Sequence, residues 1–116
     1  MRMWMTDPAI MCRQHLLGEH VELHMFVGTI NKGISVAGYL SDNLLEPSSL
    51  KSRHSELVNE MLRRGYSHQS PLPEVTMGLE ESDLAVKIDR VASRNELTRR
   101  CPVCAAQQVK DHYVKP

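Results

Sequence analysis

Between Gln14 and Leu23 the chain reads Gln-His-Leu-Leu-Gly-Glu-His-Val-Glu-Leu, a dense run of carboxylates and imidazoles. Such groups serve as acids, bases and metal ligands, provided that the right ones share a face. Wound at about 100° per residue, His15, Glu19 and Glu22 fall within about 60° of one another. Beside them lies an apolar stripe of Leu16, Leu23, Val27 and Ile30. A helix needs that stripe to fold, whereas three titratable groups next to it would have their pKa values perturbed by partial burial. The cluster is therefore a candidate site for acid–base chemistry. The plainer alternative is a solvated face in which Glu19 and Glu22 answer Arg13.

Two further groups of residues could do chemistry. Cys101-x-x-Cys104 is half a zinc site or a redox pair. A closed zinc site needs four ligands, and Cys12, His112 or a distant histidine would have to supply the rest. Two helix-end thiols with no further role are the simpler reading, and no βαβ pattern supports a thioredoxin-like one. His20 and His24, at i and i+4, could hold a metal on one helix face. They lie about 120–180° around the helix from Glu22, so they stand apart from the first cluster. His54 reads as a hydrogen-bonded core residue.

Three main helices must position these groups. The first is expected from Ala9 or Cys12 to Ile30 or Asn31, ended by Asn31-Lys32-Gly33. An irregular connection from Gly33 to Pro47, with one short extended piece, leads to a second helix that starts near Pro47 or Ser48. Its inward stripe is Leu50, His54, Leu57, Val58 and Met61, and Gly65 stops it. Ser67 to Gly78 is a loop. A third helix is expected from Ser82 to about Arg100, with Leu84, Ile88, Val91 and Leu97 inward and Pro102 as the stop. The fold class is thus all-α, a single domain over residues 1–116 whose last stretch, about 105–116, is a polar and flexible tail. Met1 to Pro8 reads as a short lead-in.

With 14 basic and 14 acidic residues among 116, no global field draws the chain to nucleic acid or membrane. Nucleic-acid binding would need a local patch, for which Arg53, Arg63, Arg64, Arg90, Arg94, Arg99 and Arg100 are candidates. No apolar run reaches the roughly 18 residues of a membrane span, and the start lacks the apolar core of a signal peptide. Three cysteines do not make a disulfide framework, which points to a cytoplasmic protein.

Two stretches carry a family resemblance. Met1-Arg2-x-Trp4 is followed by Gln14-His15-Leu16-x-x-Glu19-x-x-Glu22-Leu23, and then by Arg53-x-x-Glu56-Leu57-x-x-Glu60-x-Leu62-x-Arg64-Gly65-Tyr66. In order and spacing they resemble the phage-type pyrimidine-dimer DNA glycosylases of the endonuclease V family, over most of the first two thirds of the chain. The resemblance implies an all-helical DNA repair enzyme whose nucleophile is its own terminal amine. Free α-amines titrate near 7.7–8.0 and lysines near 10.4, so at neutral pH about a tenth of the former is unprotonated, a few hundred times the lysine fraction. Such an amine can attack C1′ of a damaged nucleotide, expel the base and form an imine, after which β-elimination breaks the strand.

Residue by residue, the resemblance implies that Met1 supplies the amine, being retained because Arg2 is too bulky a neighbour for its removal. Glu22 stabilises the imine and moves the proton, and His15 assists sugar-ring opening. Arg2 grips a phosphate, Gln14 touches DNA, and Glu19 completes the substrate-binding set as an orienting residue. The implied partner is damaged double-stranded DNA, the implied state a monomer, and neither cofactor nor metal is called for. Val21 and Met25 stand where the dimer-specific enzymes carry DNA-holding arginines, and Arg99-Arg100-Cys101-Pro102-Val103-Cys104 replaces their aromatic-rich end. Two other classes remain open. One is a helical metal-binding protein that uses Cys101, Cys104 and the histidines; the other is a non-catalytic interaction domain derived from the same fold.

Overall fold

Leu16, Leu23, Val27 and Ile30 are all buried on one side of α1, Arg13–Asn31. The computed structural model describes residues 1–67, 70–76 and 78–114, the last six of them without side chains. Gly33, at φ +74°, closes α1: its N–H bonds the Ile30 carbonyl while the Ile34 N–H reaches back to Thr29. Only a residue without a Cβ adopts that left-handed stop at no steric cost.

The next element is a short helix, α2, at Ala37–Ser41, where an irregular connection with an extended piece was expected. Tyr39 of α2 sets its ring edge-on to Phe26 of α1, 5.1 Å between centroids, a tertiary contact that local sequence pattern does not reveal. A 3-10 turn at Pro47–Ser49 then leads into α3, Leu50–Arg63. Leu50, His54, Leu57 and Met61 face inward, Val58 is half-buried, and Gly65 ends the helix at φ +85°. α3 packs against α1.

The expected third helix is two helices, α4 at Glu81–Leu84 and α5 at Arg90–Arg100. The break between them is held by tertiary bonds. Asn43 donates to the Lys87 carbonyl and accepts from the Asp89 N–H, Glu46 accepts from the Ile88 N–H, and Asp89 caps α5 by accepting from Ala92. The break resets the helical phase. Ile88 and Leu97 are buried as expected, whereas Leu84 and Val91 are exposed.

Pro102 does end α5, but it also opens another helix, α6, Pro102–Val114. Proline cannot continue a helix, yet at a first helical position its missing N–H costs nothing and its φ is already right. Residues expected to form a flexible tail are therefore helical as far as Val114. The domain is all-α, with no strand among the described residues.

The lead-in is part of the core. Met3, Trp4, Met5 and Thr6 are all buried, Met3 completely. The Met3 N–H bonds the Leu44 carbonyl, Ser93 of α5 donates to the Trp4 carbonyl, and Arg90 donates to that of Met5. Met5 adopts φ +55°, a turn an L-residue takes only when its surroundings fix it.

Arg53 of α3 fastens this segment to both main helices. Its side chain is fully buried, donating from Nε and Nη2 to the two oxygens of the equally buried Glu19, at 2.7 and 2.9 Å. Its Nη1 donates to the Thr6 carbonyl at 2.6 Å. Such a bidentate pair has its charges and most of its donors satisfied, the condition under which burying it is tolerable. Arg53→Met is expected to cost about 3–5 kcal/mol by leaving Glu19 charged and unpaired. In urea unfolding, adding Glu19→Leu should recover most of that loss, short of the share due to the orphaned Thr6 carbonyl.

Candidate active site

The α-amine of Met1 stands 3.6 Å from Glu22 Oε1, with both side chains mostly shielded from solvent. Two residues on, Met3 is locked into the core, so the terminus has little chain with which to move away. On the same face of α1 as Glu22 come Gly18 and His15, at helical steps of four and three residues. All three are half-buried. A Cβ added at Gly18 would meet no atom within 4 Å. Glycine is therefore not required there for packing, and it leaves open floor between the carboxylate and the imidazole.

Trp4 organises the neighbours. The Arg2 guanidinium lies 3.8 Å over its ring, and His15 meets it edge to face with centroids 5.8 Å apart. Arg2 Nη2 donates to Ser93 Oγ at 3.1 Å, while its Nε is buried with no partner. Burial, then the charge of Arg100, pushes the Arg2 pKa down, and Glu96, Glu19 and Glu22 oppose this only in part. Arg2 and Arg100 thus share a positive corner, with an N–H donor still to be satisfied. Glu96 pairs with Arg99 and Arg100, and the hydrogen bond from Arg99 leads in bringing its pKa down to about 2.

The remaining expected residues divide. Gln14 is exposed on the first turn of α1. Glu19, expected among the substrate-binding residues, is fully buried, with both carboxylate oxygens held by Arg53. The same burial removes Arg53 from the expected basic patch. Arg63 and Arg64 are engaged by Glu60, and Arg64 also donates to the carbonyls of Pro8 and Met11. Val21 and Met25 are exposed apolar residues on α1.

Two groups of metal-binding side chains come together. Cys12, His15, Cys101 and Cys104 bring one ligand atom each within 4.8 Å of one another, as do His20, His24 and His54. His54, read as a core residue, thus completes the pair foreseen on α1, and it bonds the Ser70 carbonyl through Nε2 at 3.2 Å. The His112 side chain lies outside the described residues. A groove of about 450 Å³ between Pro47, Leu50, Leu72, Val75 and Leu79 contains none of the candidate catalytic residues.

Sequence reasoning missed the buried lead-in, the Arg53 partner of Glu19 and the open floor at Gly18. The run Met3-Trp4-Met5 was the available signal for the first, since three large apolar residues seldom all face water. Gly18→Ala is expected to raise stability by up to about 1 kcal/mol, the ordinary helical preference for alanine. A thermal melt of the two proteins measures it.

A sequence model of the family described as pyrimidine dimer DNA glycosylase matches residues 1–74 of the chain. No curated protein and no solved structure matches.

Proposed function

The chain belongs to the pyrimidine dimer DNA glycosylase family, and from that premise we propose that it is a DNA glycosylase and abasic-site lyase working through an imine on the Met1 amine. The observation that carries this reading is the approach of that amine to Glu22, 3.6 Å, at the end of a segment fixed from its third residue onward.

The chemistry proceeds from the nitrogen lone pair. It forms a bond to C1′ of the damaged nucleotide as the C1′–base bond breaks, and the base leaves with the bonding pair and takes up a proton. Loss of a proton from nitrogen and cleavage of C1′–O4′ give the imine, with the proton passing to O4′. Glu22, beside the nitrogen, stabilises the cationic imine and is placed to take the C2′ proton. The electrons freed at C2′ then expel the 3′-phosphate, and water releases the enzyme. His15 has its Nδ1 turned to thiols, 3.2 Å from Cys12 Sγ. Nε2 is the atom left to serve the sugar oxygen.

Arg2 suits a phosphate. Its guanidinium is only half-buried, and Arg100 adds positive charge to the same corner. Gln14, exposed one turn before Gly18, is placed to touch the strand. Glu19 acts through Arg53 by fixing α1 and the lead-in. The space that a Cβ would have at Gly18 lies where the extrahelical sugar that chemistry at C1′ requires would approach. The same reading gives partner and compartment: damaged double-stranded DNA bound by a monomer, in the reducing cytoplasm that three free thiols suit. No helix among the described residues is long and apolar enough to cross a membrane.

Borohydride in the presence of abasic-site duplex is expected to trap one covalent adduct, which mass spectrometry places on the peptide that carries Met1. An adduct on a lysine, or none, overturns the reading. Glu22→Gln should slow strand scission by about a hundred- to ten-thousand-fold, the usual worth of a positioned acid–base group. Gly18→Leu should fold normally and weaken binding of the same duplex.

A further inference from the structure

Cysteine and histidine ligands recur at one local position in two helices. Cys12 immediately precedes α1 and His15 is its third residue; Cys101 immediately precedes α6 and Cys104 is its third residue. Ligands three residues apart at a helix start point the same way, and these two starts meet. Cys12 Sγ lies 3.2 Å from His15 Nδ1 and 3.8 Å from Cys101 Sγ, and Cys104 Sγ lies 3.7 Å from His15 Nδ1. We propose that Cys12, His15, Cys101 and Cys104 form a closed tetrahedral zinc site that fastens α5 and α6 to the start of α1.

Dimensions fit that ion. With Zn–S near 2.3 Å and Zn–N near 2.05 Å, a tetrahedron has S···S edges of about 3.8 Å and S···N edges of about 3.6 Å. A disulfide needs sulfurs about 2.05 Å apart, and three cysteines always leave one over. Four soft or borderline ligands select zinc over magnesium or calcium. With every position filled by protein, the site has none open for catalysis and is structural.

The surroundings suit the charge. Zinc displaces three thiol protons on binding, so the filled site carries a single net negative charge. The positive ends of α1 and α6 both face it. Backbone donors are already in place: the Cys12 N–H points to Cys104 Sγ at 3.2 Å, and the Cys104 N–H to Cys101 Sγ at 3.4 Å. Outer hydrogen bonds of this kind orient the first ligands and stabilise thiolates. Ordinary core cysteines would pack equally well without converging on one imidazole nitrogen.

The site has two consequences. Two ligands come from the segment that the family model matches, residues 1–74, and two from the helices beyond it. The metal therefore joins the later helices to the catalytic end of the chain. Its second consequence rests on the role proposed above for His15. Coordination through Nδ1 puts the ring proton on Nε2 and fixes that atom as a donor, which is what an oxygen leaving C1′ needs.

The test uses untagged full-length protein, purified without chelator from zinc-supplemented medium. Elemental analysis should find about one zinc per chain that is released by a thiol-blocking mercurial. Replacement by Co²⁺ should give intense tetrahedral visible bands and thiolate-to-cobalt charge transfer in the near ultraviolet. Cys104→Ala should lower retained zinc to under about a tenth of an equivalent, whereas Cys104→His, which keeps four ligands, should retain it and show that the fold survives substitution. The proposal is overturned by protein that carries no zinc and has three freely reactive thiols. It is equally overturned by metal that survives Cys104→Ala without thiolate bands, which would place the ion on His20, His24 and His54. None of these readouts depends on activity, so loss of the imine reading would leave them standing.

Discussion

One buried ion pair sets the geometry on which everything else depends. Glu19 and Arg53 are both fully buried, and their two hydrogen bonds tie α1 to α3 at the level of the candidate active site. A third donor of the same guanidinium takes the carbonyl of Thr6, so the crossing of the two helices and the path of the first residues are fixed together. An aliphatic pair of the same volume could hold the helices, but it has no donor to offer a passing backbone. The ionic version specifies where the chain must run, and that path sets the position of Met1.

Much of this was legible and some was not. The α1 stripe, the α3 stripe and both glycine stops follow from local periodicity and turn chemistry, and the structure places them as the pattern implies. Glu19 stood out in the sequence as a carboxylate beside an apolar face. Its partner lies 34 residues away, so no local spacing distinguishes a buried structural acid from one facing a ligand. The break between α4 and α5 was illegible for a similar reason: Asn43 and Glu46 dictate it from another part of the chain. Cys101 and Cys104 could be paired on spacing, with Cys12 among the candidates to join them, but only the fold adds His15.

The proposed catalytic groups and the proposed grip on DNA are separable. The Met1–Glu22 approach, the open floor at Gly18 and the unsatisfied Arg2 donor stand on or beside one face of α1. The exposed flank of that helix is apolar at Val21 and Met25. Phosphate contacts supply most of the affinity of a protein for duplex DNA, and this chain has as many acidic as basic residues. Positive charge is instead gathered on α5, at Arg90, Arg94, Arg99 and Arg100, of which Arg100 acts on the corner where Arg2 sits. On the proposed reading, a protein built this way would hold the damaged strand near the reacting sugar and make fewer contacts farther along the duplex.

A terminal amine is a demanding nucleophile to position, because chain ends are usually the least ordered part of a domain. This fold meets the demand by burying the residues adjacent to the terminus. Met3 and Met5 have almost no exposed surface, and each full burial of such a side chain is worth about 1.5–3 kcal/mol. Hydrogen bonds to the backbone at Met3, Trp4, Met5 and Thr6 hold the segment at four successive residues. A lysine would bring a four-carbon stem whose rotamers must be frozen at each turnover. In the proposed mechanism the terminus has that entropy removed once, during folding, and its nitrogen already stands beside Glu22.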